Sequence, residues 1–415
     1  MATRSNVPAI NQGPTYLAPF IIVTALFGIF GFLTSLNNQL VGKLKDTFHL
    51  GYGAAMLATA AWFLAYLVFS VPSAKLIERV GYKKTMVISL FIMVLGALAF
   101  IPAAYSVSFP LTLGAIFLLA IGVCALQTSA NPYAAILGPE HSAALRVNLA
   151  QAFNSAASAL APIIATTFIL TSASSTGTQA EQAHMLIGPY IAIALSLLVL
   201  GFVVMGLHLP AVTLTRDFRP SDLNVLSRSI WSYSHTVLGM VGIFFYVGVE
   251  ISLAAIGVRF AQEQGISDVK IAGYLITAYY LLIMIGRFIG SALMTKIKPE
   301  KLLFVLGIFG IVLMAAGMVT TSTTAVACLV LCGLANSIMY PTIFALGIAE
   351  LGPLTSKGSG VITIGNVGGA AIPPLFGLLA DHMGIQHAFF LPILCYLFIT
   401  YYGFSGYKPS QATEA

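Results

Sequence analysis

The stretch VLGMVGIFFYVGVEISLAAIGV, Val237 to Val258, holds 22 residues and one charge, Glu250. About 20 consecutive apolar residues cross the ~30 Å hydrocarbon core of a bilayer as an α-helix, so this segment reads as a membrane span. It lacks the two-residue alternation of a barrel strand. A carboxylate in its middle costs at least ~2.5–3.5 kcal/mol, which makes Glu250 the first residue in need of a reason. Reading outward from it places twelve spans, at 16–46, 52–78, 84–104, 110–136, 143–171, 185–209, 235–260, 268–295, 301–320, 323–350, 357–381 and 387–406. Composition agrees. Of 415 residues, 58% are hydrophobic and 8% charged, with mean hydropathy +0.94, whereas a soluble domain carries roughly a quarter charged residues. An all-α integral membrane protein is the expectation. A disordered chain, a nucleic-acid binder and a secreted disulfide scaffold are excluded.

Charge placement orients the spans. With loops assigned alternately, one side holds 15 of the 19 basic residues: Arg4, Lys75, Arg79, Lys83, Lys84, Arg146, Arg216, Arg219, Arg228, Arg287, Lys296, Lys298, Lys301, Lys357 and Lys408. The other holds Lys43, Lys45, Arg259 and Lys270. Cytoplasmic loops carry the basic excess, so both termini are expected inside, and the net charge of +6 needs no anionic partner. Met1 to Gly13 lacks the basic start, short apolar core and cleavage site of a signal peptide, so the first helix is expected to be retained. Cys124, Cys328, Cys332 and Cys395 lie in apolar runs without metal-type partners and read as small, lipid-compatible residues.

The chain repeats itself. Pro132 and Pro341 lie 209 apart, Asn154 and Asn366 212 apart, and Arg79 and Arg287 208 apart. Two six-helix halves running in the same direction imply a pseudo-two-fold axis along the membrane normal and a site between the halves near mid-membrane. That is the major facilitator architecture. The longest polar stretch, Thr213 to Ser229, divides it into a bundle at 1–212, a cytoplasmic linker at 213–229 and a second bundle at 230–415. Between the second and third spans stands AKLIERVGYKK, Ala74 to Lys84, close to the loop signature of that superfamily with Glu78 where an aspartate is usual. A carboxylate and a basic cluster at helix ends can bridge helices in one conformation and release them in the other. Glu78, Arg79, Gly81, Lys83, Arg146 and Arg287 are therefore candidate gating residues.

Within the spans, polar groups are kept mainly where they line a cavity. A lone membrane carboxyl is either a protonated structural group or a substrate or ion site, and Glu250 is read as the latter. In the first half the notable groups are amides: Asn37 and Asn38, Gln127 and Asn131, Gln151 and Asn154. Spacings of three and four put the last two pairs each on one helical face, and Asn148 precedes on a similar face. Helix-to-helix polar glue is the plain alternative for any one of them; six together favour a hydrated pocket. Amides donate and accept, which suits an uncharged polyhydroxylated ligand. The repeat pairs Glu250 with Asn38 and Gln127 with Asn336. Tyr340 takes the place of Asn131, where its ring could stack on a sugar face. Asn366 opens a glycine-rich stretch ending in Pro373-Pro374 that weakens its helix.

These residues carry a resemblance. Asn131-Pro132-Tyr133, Leu137-Gly138-Pro139-Glu140 and Arg146-Val147-Asn148-Leu149-Ala150-Gln151-Ala152-Phe153-Asn154-Ser155 resemble the fucose:proton symporter family. So do Tyr246-Val247-Gly248-Val249-Glu250 and the stretch from Tyr340 to Ile348. The resemblance runs from the first span through the eleventh. It implies uptake of a small monosaccharide (fucose, glucose, galactose or mannose type) across a bacterial inner membrane by alternating access, coupled to protons or sodium, with no cofactor besides the co-transported ion. It also implies an aspartate at the position of Asn38 and a glutamate at that of Gln127, the family's proton carriers; both are amides here. Gln127 and Glu250 fit a glucose/galactose branch. Asn38 is either natural or an introduced neutral mimic, and in either case leaves Glu250 as the mid-membrane carboxylate able to take a cation.

The expected substrate contacts are thus Asn37, Gln127, Asn131, Gln151, Asn154, Glu250, Asn336, Tyr340 and Asn366, with Asn38 and Glu250 at the coupling position. A facilitator exporting or passively carrying another small polar solute is the second reading. A membrane enzyme is not expected: the seven histidines show no metal-type spacing, and no nucleophile–base pairing or phosphate loop is visible. The expected partners are sugar and lipid bilayer, with no nucleic acid and a monomeric chain.

Overall fold

The computed structural model describes residues 17–47, 52–164, 187–207 and 229–409, with positions 181, 184 and 209 between them. Among the described residues every regular element is helical. The order is α1 Leu17–Thr47, α2 Tyr52–Tyr105, α3 Phe109–Ile136, α4 Ala143–Ile164, α5 Ile187–Gly206, α6 Ser234–Glu263, α7 Val269–Leu293, α8 Pro299–Val319, α9 Ser322–Asn336, α10 Met339–Gly347, α11 Thr355–Ile364, α12 Gly368–Met383, α13 Ile385–Ala388 and α14 Phe390–Tyr401. Nine helical stretches among these residues are long and apolar enough to cross a membrane. The linker placed at 213–229 lies outside the described residues except for Ser229.

Helix α2 covers two expected spans. Its 54 residues would make a rod of ~80 Å at 1.5 Å per residue, far beyond one bilayer crossing. The helix is broken at Gly81, whose φ of 83° and ψ of 167° lie outside helical space. Only glycine enters that region without a Cβ penalty. The single residue without a side chain in the Glu-Arg-Val-Gly motif is therefore the pivot between the second and third passes.

The tenth and eleventh expected spans are each interrupted. Helix α9 ends at Asn336 and α10 begins at Met339. Pro341, which lacks an N–H and cannot extend an α9 ladder, falls at the first turn of α10, so Tyr340 stands at a helix start inside the span. In the eleventh span a 3₁₀ turn at Gly365–Val367 separates α11 from α12, where the glycine-rich stretch was expected to weaken the helix. The turn allows close approach: a Cβ on Gly368 would collide with the Phe244 carbonyl, so α6 lies backbone to backbone against the start of α12.

Water does not drive helices together inside lipid, so small residues and interhelical bonds must do it. Buried hydroxyls in the spans bond back to carbonyls four residues earlier, as Ser89 does to Thr85, Thr128 to Cys124 and Thr363 to Ser359. Large apolar side chains such as Leu95, Leu195, Val199, Phe202, Val305 and Leu378 remain exposed, which suits a lipid-facing surface. Within the first half α2 packs on α3 and α5, and α1 on α4; within the second, α6 packs on α12, and α8 on α9 and α14. Across the halves α4 meets α7 and α10, while α11 meets α2 and α3. Those cross-half pairs position the site.

Candidate functional site

The halves are fastened where the basic loops lie. Glu78 Oε1 faces Lys357 Nζ at 3.7 Å. Glu140 Oε1 accepts from the Glu350 N–H at 3.0 Å, two residues 210 apart and so related by the repeat. One layer deeper, Ser359 Oγ donates to the Thr128 carbonyl at 2.7 Å. Asn148 Nδ2 donates to the Arg287 carbonyl and to Ser291 Oγ, both at 2.8 Å. The Arg287 guanidinium in turn donates to the Gln151 carbonyl at 3.1 Å and to Ser155 Oγ on α4, and to the Ser337 carbonyl of its own half at 2.9 Å. Phe153 and Phe288 meet edge to face at 5.7 Å.

These fasteners differ in strength. Glu78 and Lys357 keep 35% and 44% side-chain exposure, and an exposed pair is worth ~0–1 kcal/mol. Arg287 is 7% exposed and Asn148 fully buried, so their bonds form in a low dielectric where charge-assisted bonds are stronger. The deeper layer holds the halves together.

Beyond it lies the polar centre. Gln151 Nε2 donates to Asn131 Oδ1 at 3.2 Å, which joins α4 to α3, and Asn131 Nδ2 remains unpaired although buried. One turn away, Gln127 is partly accessible and its Oε1 also has no partner. On the facing half, Tyr340 and Tyr246 stand with ring centroids 6.0 Å apart, and Asn366 Nδ2 donates to Tyr340 Oη at 3.4 Å and to the Thr363 carbonyl at 2.9 Å. Glu250 is deep among its neighbours yet partly accessible, as a cavity-wall group would be. The Tyr246 hydroxyl, one helical turn from Glu250, makes no hydrogen bond. Unpaired buried polar atoms are rare in native proteins; three of them gathered between two bundles fit the binding of a polar solute.

Several expected residues stand elsewhere. Asn336 is fully buried, its Nδ2 donating to Tyr279 Oη at 2.7 Å and its Oδ1 accepting from Tyr396 Oη at 2.8 Å. Both ends of that amide are occupied inside the second bundle, unlike those of its repeat mate Gln127. Asn154 donates to the Phe27 carbonyl at 2.9 Å and ties α4 to α1. Arg146 donates to the carbonyls of Ala134, Ala135 and Gly138 and to Ser142 Oγ. It thus closes the carbonyl end of α3 within one half, as a cation at a helix C-terminus does, and fastens nothing across. Lys83 likewise donates to the Met205 carbonyl at 2.8 Å, within the first half. Arg79 is exposed whereas its repeat mate Arg287 is buried. Asn37 and Asn38 lie on α1, with their side chains outside the described residues.

Sequence reasoning missed Ser155, Ser359, Thr128 and the Tyr246–Tyr279–Tyr396 cluster. Serine and threonine are common in membrane helices as back-bonded residues, so nothing in their spacing marks those that bond across halves. Lys357 was read only as a basic loop residue.

Comparison with known proteins agrees with this geometry. The profile of the Major Facilitator Superfamily matches residues 20–374. The chain is 40% identical over 389 residues to the glucose/galactose transporter of Brucella abortus biovar 1 (strain 9-941), covering 93% of each chain. It is 29% identical over 423 residues to the L-fucose-proton symporter of Escherichia coli (strain K12), covering 97% of this chain and 96% of that one. The crystal structure of FucP in the outward conformation superposes with a TM-score of 0.86 at 28% identity, over 95% of this chain and 99% of that one. With helices broken at Gly81, before Tyr340 and at Asn366, and with two bundles meeting over a polar centre, the chain belongs to the major facilitator superfamily and is a membrane transporter, not an enzyme.

Proposed function

We propose that this protein carries a monosaccharide of the glucose/galactose type across a bacterial inner membrane by alternating access, with both termini cytoplasmic. The observation that carries the reading is the division of the polar centre between the halves. Gln127, Asn131 and Gln151 come from one bundle; Glu250, Tyr340 and Asn366 come from the other. A solute held by both sets exchanges one access route for the other when the bundles rock. Free amide and tyrosine groups suit hydroxyls that both donate and accept, and a tyrosine face suits the apolar side of a pyranose. The 40% identity to a glucose/galactose transporter supports the same substrate class.

With the basic end cytoplasmic, fasteners there close the inner route, and the conformation is outward-facing. Coupling rests on Glu250. A carboxylate must take a proton or a cation before passing through a dry occluded state, whereas Asn38 is neutral already.

Counterflow in proteoliposomes tests the substrate. Vesicles preloaded with unlabelled D-glucose, D-galactose, D-mannose or L-fucose are diluted into the matching labelled sugar. Accumulation of label with glucose or galactose is expected, and it needs no ion gradient. Silence across the panel, in protein that unfolds cooperatively on heating, would transfer the reading to another small polar solute.

A further inference from the structure

One ring of the first bundle reaches the second beside the polar centre. Gly369, near the start of α12, has no side chain, and a Cβ built there would meet the tip of the Phe63 ring, whose two Cε atoms would lie at 2.6 and 2.8 Å. Phe63 stands on α2 and is 9% exposed. Asn366 and Gly369 lie three residues apart where the 3₁₀ turn passes into α12, and residues so spaced share a face. The ring therefore rests one turn beyond Asn366, the residue that donates to Tyr340 Oη. The backbone at Gly368 closes instead on the Phe244 carbonyl, on α6 of its own bundle.

The seam between α2 and the eleventh span is built differently at its two ends. Nearer the Glu78–Lys357 pair, Gly360 closes on the Ser70 carbonyl and the Ala74 Cβ, atoms fixed to a helical backbone that cannot give way. On the far side of Asn366 the gap is filled by the free end of a ring, which can swing about its own side-chain bonds. We propose that Phe63 is the outer wall of the solute-binding centre and that Gly369 sets how far the ring stands back from it. The inference rests on the reading of that centre as a sugar site, whichever sugar is carried.

A phenyl face suits the apolar side of a pyranose and complements amides that take the hydroxyls. A methyl at position 369 evicts the ring from its seat. The α12 backbone behind it is fixed, so the ring moves into the polar centre and takes room from the sugar. Phe63 thus meets the solute without hydrogen-bonding it, and Gly369 is a positioning residue that acts through the ring.

A thiol in place of the ring (Phe63→Cys) is expected to react with a membrane-impermeant sulfonated methanethiosulfonate added outside right-side-out vesicles, and D-glucose or D-galactose to slow the reaction several-fold. The four native cysteines are buried, and protein without the added thiol gives the blank. A rate no higher than the blank overturns the wall, as does a rate unmoved by a sugar that the counterflow panel shows to be carried. Silence in that panel overturns the substrate instead, and reaction of Phe63→Cys then still supports a ring on the water-filled route. In counterflow, Gly369→Ala is expected to raise the half-saturating sugar concentration about tenfold with little change in maximal rate, and adding Phe63→Leu to restore it to within about threefold. An unchanged half-saturating concentration, or no restoration, overturns the seating. Ser359 is fully buried and bonded to Thr128 across the halves, so a thiol there (Ser359→Cys) reacts with N-ethylmaleimide only when the inner route opens. Adding Gly369→Ala is expected to leave that rate unchanged. A several-fold rise would mean that the methyl parts the halves instead of moving the ring, and would overturn the wall.

Discussion

At the residue scale the informative contrast is between amides that are satisfied and amides that are free. Asn336 joins two buried tyrosines, and Gln127 at the repeat-related position has an unpaired oxygen. The two should therefore fail differently. Asn336→Ala orphans the hydroxyls of Tyr279 and Tyr396 at about 1–3 kcal/mol each. It should lower the thermal unfolding midpoint in detergent while leaving the half-saturating sugar concentration of the surviving protein within about twofold, below the ~1.4 kcal/mol of a tenfold change. Gln127→Ala should do the reverse, with an unchanged midpoint and a half-saturating concentration raised about tenfold, equivalent to one hydrogen bond of ~1.4 kcal/mol. Asn38→Asp belongs here too. It restores a second titrating carboxylate, so sugar accumulation driven by a proton or sodium gradient should increase while counterflow stays the same. Equal accumulation by both forms would remove Asn38 from the coupling argument.

At the scale of elements, three breaks shape the molecule, and each has a local cause. Gly81 turns the chain between two passes at a φ that L side chains avoid. No atom lies within 4 Å of a Cβ built there, so Gly81→Ala isolates the backbone cost of ~1–2 kcal/mol; a lower unfolding midpoint with transport retained is the expected outcome. The breaks before Tyr340 and at Asn366 place side chains with hydrogen-bonding capacity at a helix start and in a 3₁₀ turn inside their spans, where a continuous helix would present one more apolar stripe. Arg146 illustrates the opposite case. Arg146 was among the candidate gating residues, but it satisfies the carbonyl end of α3, so Arg146→Ala should destabilise the first bundle without shifting access between the two sides. The Ser359→Cys labelling rate measures that directly.

At the scale of the whole molecule, the halves meet through a weak outer pair and a strong inner layer. Glu78→Gln removes an exposed pair worth ~0–1 kcal/mol, so transport and labelling should change by less than about fivefold, the equivalent of ~1 kcal/mol. Ser155→Ala, acting on the buried Arg287, should change labelling more. The order of those two effects checks that buried bonds, and not the loop ion pair, set the inner closure.

The apolar helical spans were legible in the sequence for one physical reason. Lipid demands about 20 apolar residues per crossing and expels charge, so composition along the chain carries the spans. The amides and Glu250 stood out as candidates because polar groups in lipid are costly enough to need a reason. Which amides face that cavity was not. Asn131 and Gln151 bond each other, Asn154 bonds α1 and Asn336 bonds two tyrosines, yet all four look alike in a string of letters. Nor could spacing tell that Arg287 crosses between halves while Arg146 stays within one, since hydrogen bonds depend on where a side chain ends and not on where it begins. The sequence by itself determined which segments are apolar enough to cross a membrane and which polar groups need partners; the tertiary structure alone decided who those partners are, because they lie on different helices, from 20 to 139 residues apart, and meet only when those helices pack.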